Sequence, residues 1–206
     1  FEGCEVPQAG WDVIYRNVDG IQMPDGDIVH TLYVEMKNKH NTMNSASSAK
    51  TYIKMQGQIL EDDDCACLLV EAIAKKSQNI KWSTKVDGKN VQHRLIRRVS
   101  MDQFYAILTG EEDAFYKMCM ALPAVINEVV NEEGSVKVPH DTVIDELRKV
   151  ASLYSDEDNE LSMAMAVYML GFNTYTGFGD KIRGELEENN DGMLKRIYEY
   201  VKKFSI

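Results

Sequence analysis

The alternation of apolar and polar residues predicts an α/β fold with a mixed sheet of about five strands flanked by helices. Residues 10–15 and 31–37 have strand patterns, and a polar turn around Pro24 joins them into a hairpin. The polar segment 38–48 can cap a helix that runs to about Leu60. Residues 65–74 form an apolar run broken only by Glu71, which is typical of a strand buried on both faces.

The second half of the chain is predicted to be mainly helical. Residues 80–99 form another hairpin, because two alternating segments flank Asp87-Gly88, a strong two-residue turn signal. Ser100 caps a helix that ends at Gly110, and further helices are predicted at about 112–130, 141–154, 160–170 and 192–204. We therefore expect an α/β core in residues 1–110, with the acidic helical region 111–206 packed on it.

The charge is distributed unevenly, which changes what the net value of −10 implies. Residues 1–110 hold 13 basic and 14 acidic residues, whereas residues 111–206 hold 10 and 19. Residues 75–98 contain eight basic residues and one acidic residue, Asp87. A local excess of this kind is the footprint that a polyanion such as nucleic acid requires.

Composition argues against a membrane or secreted protein. No apolar run approaches the roughly 20 residues needed to cross a bilayer, and the start of the chain does not resemble a signal peptide, so we expect a cytoplasmic protein. The four cysteines are wrongly spaced for a zinc site or a disulfide framework and are predicted to be buried thiols. The four histidines show no metal-ligand spacing.

The candidate chemistry lies at the open end of the first hairpin. Its first strand begins with Asp12 and its second ends with Glu35-Met36-Lys37, and antiparallel pairing places these ends side by side. The carboxylates of Asp12 and Glu35, with the backbone carbonyl of Met36, are hard oxygen ligands suited to Mg²⁺. Lys37 could orient or help to deprotonate a water molecule and offset negative charge on a phosphate. Asp12, Glu35 and Lys37 are therefore the predicted catalytic residues.

The pattern alone leaves an alternative open. Glu35 and Lys37 could form the solvent face of an amphipathic strand, with Asp12 as an edge residue. Three other aspartates also compete with Asp12: Asp19, Asp25 and Asp27. Because they lie where the hairpin must turn, at the end far from Lys37, we favour Asp12, although Pro24-Asp25 spells a literal Pro-Asp motif.

Several segments carry a resemblance to a known family. They are Val6-Pro7, residues 10–12, 33–45, 50–56, 73–79 and 168–175. With these segments the chain resembles the type II restriction endonucleases of the PD-(D/E)XK superfamily, in particular the subgroup that cuts GGNCC or GGWCC sites. The resemblance implies Mg²⁺-dependent cleavage of double-stranded DNA that leaves 5′-phosphate ends, with Asp12 and Glu35 as metal ligands and Lys37 as the catalytic lysine. The superfamily core normally begins with a helix ahead of these strands, and we expect that helix upstream of Phe1.

Candidate DNA contacts fall in two groups. Basic and amide side chains of the 75–98 segment could reach phosphates and guanine edges: Lys75, Lys76, Gln78, Asn79, Lys81, Arg94, Arg97 and Arg98. Asn41, Asn44 and Ser45, at a predicted helix start, could bind a phosphate or simply cap the helix. For any one basic residue a solvated hairpin is the favoured explanation, but the cluster as a whole favours DNA.

The sequence therefore predicts a restriction endonuclease that acts as a homodimer on a palindromic duplex, alongside a cognate DNA methyltransferase. Two alternatives remain. One is a nuclease of the same superfamily without strict sequence specificity, as in repair, and the other is a DNA-binding regulator that keeps the scaffold without catalysis.

Overall fold

The computed structural model describes residues 2–39 and 43–119, together with residues 121, 149 and 152. The chain divides into two compact units, Phe1–Phe115 and Tyr116–Ile206. The sheet and helices described below belong to the first unit. The helices predicted at 160–170 and 192–204, and most of those at 112–130 and 141–154, lie outside the described residues.

A mixed six-stranded sheet forms the centre of the first unit, with the strand order β1-β2-β3-β4-β6-β5. The strands are β1 (Cys4–Glu5), β2 (Val13–Gln22), β3 (Ile28–Lys39), β4 (Cys65–Ile73), β5 (Asn79–Val86) and β6 (Lys89–Ser100). The predicted α/β class is confirmed. Its count of about five strands omits β1, which is two residues long and too short to show an alternating pattern.

Both predicted hairpins are present. β2 and β3 pair antiparallel, as do β5 and β6, whereas β3 with β4 and β4 with β6 are parallel. The β5–β6 turn places Asp87 at φ 48° and Gly88 at φ 76°, the positive values that a tight two-residue hairpin turn requires. Because β3 and β4 are parallel, their C-terminal ends lie at the same edge of the sheet, which is where the candidate site is found.

Two helices flank the strands. In α1 (Ser45–Glu61) the N-cap Asn44 accepts a hydrogen bond from the backbone N–H of Ser47 through its side-chain oxygen, at 2.8 Å. The second helix, α2 (Met101–Thr109), ends at Gly110, whose φ of 75° is the left-handed conformation that favours glycine at this position. The start of α1 and the end of α2 therefore carry residues that local capping chemistry prefers, whereas Ser100 begins α2 without a side-chain capping hydrogen bond and α1 ends at an extended Asp62.

Each face of the sheet packs against one helix. One face, with Leu32, Val34 and Leu68 at its centre, contacts Phe104 of α2. The other face, which includes Cys67 and Leu69, packs against buried Tyr52 and Met55 of α1. Since side chains alternate along a strand, Glu35 and Lys37 lie on the α1 face of β3, beside this second core.

The described residues also bear on the predictions about membrane spans and cysteines. None of their helices is both long and apolar enough to cross a membrane. Cys65, Cys67 and Cys119 are buried, as predicted, whereas Cys4 is only half-buried, and no disulfide bond joins any of these four cysteines.

Candidate active site

Asp12 lies directly beside the Glu35–Lys37 segment. The pairing of Val13 with Val34 brings the start of β2 to the end of β3, and the Asp12 backbone N–H donates to the Val34 carbonyl at 3.0 Å. The Asp12 side chain then accepts a hydrogen bond from the backbone N–H of Met36, with 2.7 Å between Met36 N and Asp12 Oδ2. The carboxylate is therefore fixed against the peptide between the other two predicted catalytic residues.

Glu35 is held between two ammonium groups. Lys37 Nζ lies 2.8 Å from its Oε1, and Lys54 Nζ lies 2.8 Å from its Oε2. Burial would raise the pKa of the Glu35 carboxyl, but the hydrogen bonds and charges of Lys37 and then Lys54 outweigh that effect, so the pKa lies below its usual value. Glu35 is thus ionised at neutral pH.

Lys54 is the functional residue that sequence reasoning missed. It comes from the middle of α1, seventeen residues beyond Lys37. A lysine on an amphipathic helix usually belongs to the solvated face, so nothing in the local pattern singles it out. The one signal in the sequence is that Lys54 lies in residues 50–56, a segment that carries the resemblance to restriction endonucleases.

Lys54 also contacts the segment that carries Asp12. Its ammonium donates to the Gly10 carbonyl and lies 3.8 Å from the centre of the Trp11 ring. The indole N–H of Trp11 donates to Gln58 Oε1 at 3.2 Å, one helical turn after Lys54. Trp11 further packs against the Tyr33 ring, with 5.4 Å between the ring centres. Helix α1 therefore holds the residue next to Asp12 by its ring face and by its edge.

The donor set at this edge fits a hard divalent cation. Asp12, which directly precedes β2, and Glu35 of β3 each supply a carboxylate. Carbonyls of alternate residues point the same way along a strand, so the Met36 carbonyl faces the β2 side as the Val34 carbonyl does. Among residues 2–39 and 43–119 there is no group of three or more His, Cys, Asp or Glu residues arranged to hold a metal. Two carboxylates with a carbonyl nevertheless match the usual protein ligands of Mg²⁺, which keeps several waters.

The competing aspartates lie elsewhere. Asp25 contacts Lys81 at 3.1 Å and Arg97 at 2.6 Å, and Asp27 contacts Arg94 at 2.8 Å. The hydrogen bond from Lys81, aided by Arg97, lowers the pKa of Asp25. Neither aspartate pairs with Lys37, and the choice of Asp12 as the catalytic aspartate stays a prediction.

Asp19 belongs to the irregular part of β2. Its backbone N–H donates to the side chain of Asn17 at 2.9 Å. The β2–β3 register shifts between Arg16 and Ile21, and Asp19 lies within that interval. This part of β2 lies beside the start of β3, whereas Lys37 lies near the end of β3.

Arg97, one of the predicted DNA contacts, is largely buried, with only 4% of its side chain exposed. Its guanidinium donates to the Asn79 side chain at 2.6 Å and to the Asn79 carbonyl at 2.8 Å, besides Asp25. Arg97 pairs across the sheet with Leu68, and Leu68 pairs with Val34, so its side chain lies on the face opposite Glu35.

Arg98, by contrast, shares a face with Glu35. It pairs with Leu69, and Leu69 pairs with Glu35. Its guanidinium binds the carboxylate of Glu71, which is 3% exposed and also accepts from Gln78 at 3.3 Å. Arg98 and Gln78 are therefore joined through a buried carboxylate on the α1 face.

The remaining predicted DNA contacts differ in their placement. Lys75 and Lys76 are exposed and follow the C-terminal end of β4, at the same sheet edge as Lys37. Asn44 caps α1, and Ser45 is the exposed first residue of that helix. Asn41 lies outside the described residues. The role of each of these residues in DNA binding stays a prediction.

A family of known proteins and one curated relative are similar to this chain. Residues 1–131 match the family model described as Eco47II restriction endonuclease. Over 116 residues the chain is 33% identical to the type II restriction enzyme Sau96I of Staphylococcus aureus, an alignment that covers 52% of this chain and 44% of the relative. The matched region thus spans less than half the length of that relative. No solved structure matches the chain.

Proposed function

The chain belongs to the Eco47II restriction endonuclease family, and we propose that it is a type II restriction endonuclease that hydrolyses double-stranded DNA at a short G·C palindrome with Mg²⁺. The observation that carries this proposal is the convergence of Asp12, Glu35 and Lys37. Asp12 Oδ2 lies 2.7 Å from Met36 N, and Lys37 Nζ lies 2.8 Å from Glu35. Asp12 directly precedes β2, and Glu35 and Lys37 lie near the C-terminal end of β3, the strand that pairs directly with β2.

Each residue has a distinct part in the proposed reaction. Asp12 and Glu35, with the Met36 carbonyl, would hold the cation, which supplies Lewis-acid stabilisation of the charge that develops on the scissile phosphate. Lys37 lies on the same face as Glu35, and its ammonium would donate a hydrogen bond that orients the attacking water. Its ammonium also offsets negative charge on the phosphate in the transition state.

The proposed substrate is duplex DNA, bound by basic residues around the same edge. Lys75 and Lys76 are exposed there, and Lys37 and Lys54 balance the negative charges of Asp12 and Glu35 on the α1 face. Because a palindromic site presents two equivalent scissile phosphates, the working unit would be a homodimer with twofold symmetry. A methyltransferase that protects the host site is expected alongside it. The resemblance noted from the sequence makes GGNCC and GGWCC the first sites to test.

Digestion of a plasmid of known sequence tests this function. With Mg²⁺ we expect a discrete set of fragments whose ends carry 5′-phosphates and map to one palindrome, and with EDTA we expect intact plasmid. A smear of fragments would instead support a nuclease without strict specificity. Specific binding without any cleavage would support the non-catalytic regulator.

A further inference from the structure

We propose that Lys54 is a positioning residue of the candidate active site. Before a cation binds, Lys54 holds both Glu35 and the Gly10–Trp11 segment in place. When the cation arrives, Lys54 releases the Oε2 atom of Glu35 so that the cation can bind it. The inference deepens the proposed function and rests on it for the catalytic readout alone. The binding readouts below need no DNA.

The first step concerns competition for Glu35. Both oxygens of this carboxylate are taken, Oε1 by Lys37 and Oε2 by Lys54, each at 2.8 Å. A cation that binds Glu35 must therefore displace one ammonium group or share an oxygen with it. Like charges this close repel strongly in a partly buried site, since the Glu35 side chain is only 19% exposed.

The second step identifies which lysine can yield. Lys54 has two other partners, the Gly10 carbonyl and the face of the Trp11 ring. Among the described residues Lys37 has Glu35 as its hydrogen-bond partner and no such alternative. Lys54 can thus release Oε2 and remain anchored, which leaves Lys37 beside Oε1 where the proposed reaction needs it.

The third step links Lys54 to the other carboxylate. Gly10 and Trp11 directly precede Asp12, so a contact to their backbone and ring limits where the Asp12 carboxylate can lie. Gln58, one turn further along α1, fixes the indole edge at 3.2 Å. Lys54 is therefore joined to both proposed metal ligands, directly to Glu35 and through the chain to Asp12.

Metal binding by the DNA-free protein is the direct test, with Mn²⁺ as the probe and free Mn²⁺ counted by electron paramagnetic resonance. Lys54→Met removes the competing charge and should bind Mn²⁺ about tenfold more tightly than the wild type. Lys50→Met removes the same charge from an exposed position one turn earlier on α1 and should leave the affinity unchanged. Equal Mn²⁺ affinity in Lys54→Met and Lys50→Met would overturn the proposal.

Trp11 provides a signal that does not depend on the stability of a lysine variant. In the wild type, Mn²⁺ or Mg²⁺ should change the tryptophan fluorescence as Lys54 moves relative to the indole ring. The change should disappear in Trp11→Phe, although Trp82 remains, and in Glu35→Gln. A metal-dependent signal that persists in Trp11→Phe would contradict the proposed movement.

Catalysis distinguishes positioning from mere stabilisation. Lys54→Met should lower kcat on cognate DNA by about tenfold to a hundredfold, because the segment that carries Asp12 loses the contact that positions it, while KM changes little. Lys54→Arg, which keeps the charge and can stack on Trp11, should recover part of the rate. An unchanged kcat in Lys54→Met would refute the positioning role. Absence of cleavage by the wild type would refute the proposed function, and the Mn²⁺ and fluorescence results would still decide the competition for Glu35.

Discussion

Replacement of Glu35 by alanine should abolish cleavage and at the same time tighten the binding of duplex DNA. In the structure the carboxylates of Asp12 and Glu35 are balanced by the ammonium groups of Lys37 and Lys54, so the site carries no net formal charge. The substitution leaves it with one positive charge. Cleavage is lost because the cation loses a ligand, whereas the phosphate backbone of DNA meets less repulsion.

The size of the binding effect follows from the exposure of the two lysines. Their side chains are 26% and 35% exposed, so full screening by water sets the lower limit of their interaction with a phosphate. A unit charge at about 4 Å in water contributes about 1 kcal/mol, which corresponds to roughly fivefold tighter binding. The effect should shrink as salt is raised, because the Debye length is about 10 Å at 0.1 M salt.

Fluorescence anisotropy with a labelled cognate duplex in EDTA measures this effect. Glu61→Ala is a matched control, since it removes the same charge from an exposed position at the end of α1. Glu35→Gln, of nearly the same shape, shows whether any loss comes from altered packing. Weaker specific binding in both Glu35 variants, with an unaltered circular dichroism spectrum, would mean that Glu35 organises the DNA-binding surface and would refute the charge argument.

Three further effects concern stability and pH. Arg97→Met should lower the free energy of unfolding by about 2 kcal/mol in urea denaturation, because it removes a buried guanidinium from Asp25; an effect on DNA affinity without one on stability would contradict its structural placement. Arg98→Ala should cost about 3 kcal/mol in the same assay by leaving the buried Glu71 carboxylate without its ion-pair partner, and the added change Glu71→Ala should recover part of that loss. The ion pairs of Glu35 lower its pKa in the folded state, so they stabilise the fold above the unfolded pKa of about 4.3, and this stability is lost as the pH falls through the lower folded pKa. The unfolding free energy of the wild type should therefore fall relative to that of Glu35→Gln below about pH 4. Parallel profiles of unfolding free energy at all pH values would exclude this.

The hairpin and its open end could be predicted from the sequence because they depend on short-range signals. Strand alternation, the polar turn between β2 and β3, and antiparallel geometry together place Asp12 beside Glu35. The Asp87-Gly88 turn and the Gly110 helix end are likewise local, since each requires a positive φ at a defined position. Such signals need no knowledge of the packing between distant segments.

What could not be predicted depends on contacts between segments far apart in the chain. Lys54 reaches Glu35 only because α1 packs against β4, β5 and β6 on the sheet face to which Glu35 also belongs, and the residues next to Lys54 in the sequence do not reveal this packing. The excess of basic residues in 75–98 suggested side chains that are available to bind DNA, yet the charge of Arg97 is neutralised by Asp25, which lies 72 residues earlier in the chain. A count of charges along the chain cannot show which of them already have a partner in the fold.

The rate of a single turnover on cognate plasmid, with Mg²⁺ and enzyme in excess, tests the central claim that Asp12, Glu35 and Lys37 form the catalytic site. Lys37→Ala should retain the fold and bind cognate DNA, but cleave it at least about a hundredfold more slowly than the wild type, because the group that orients the attacking water is gone. Lys50→Ala, which removes an exposed lysine from α1, should cleave at the wild-type rate. Equal cleavage rates for Lys37→Ala and Lys50→Ala would contradict the assignment of the catalytic site to this edge of the sheet.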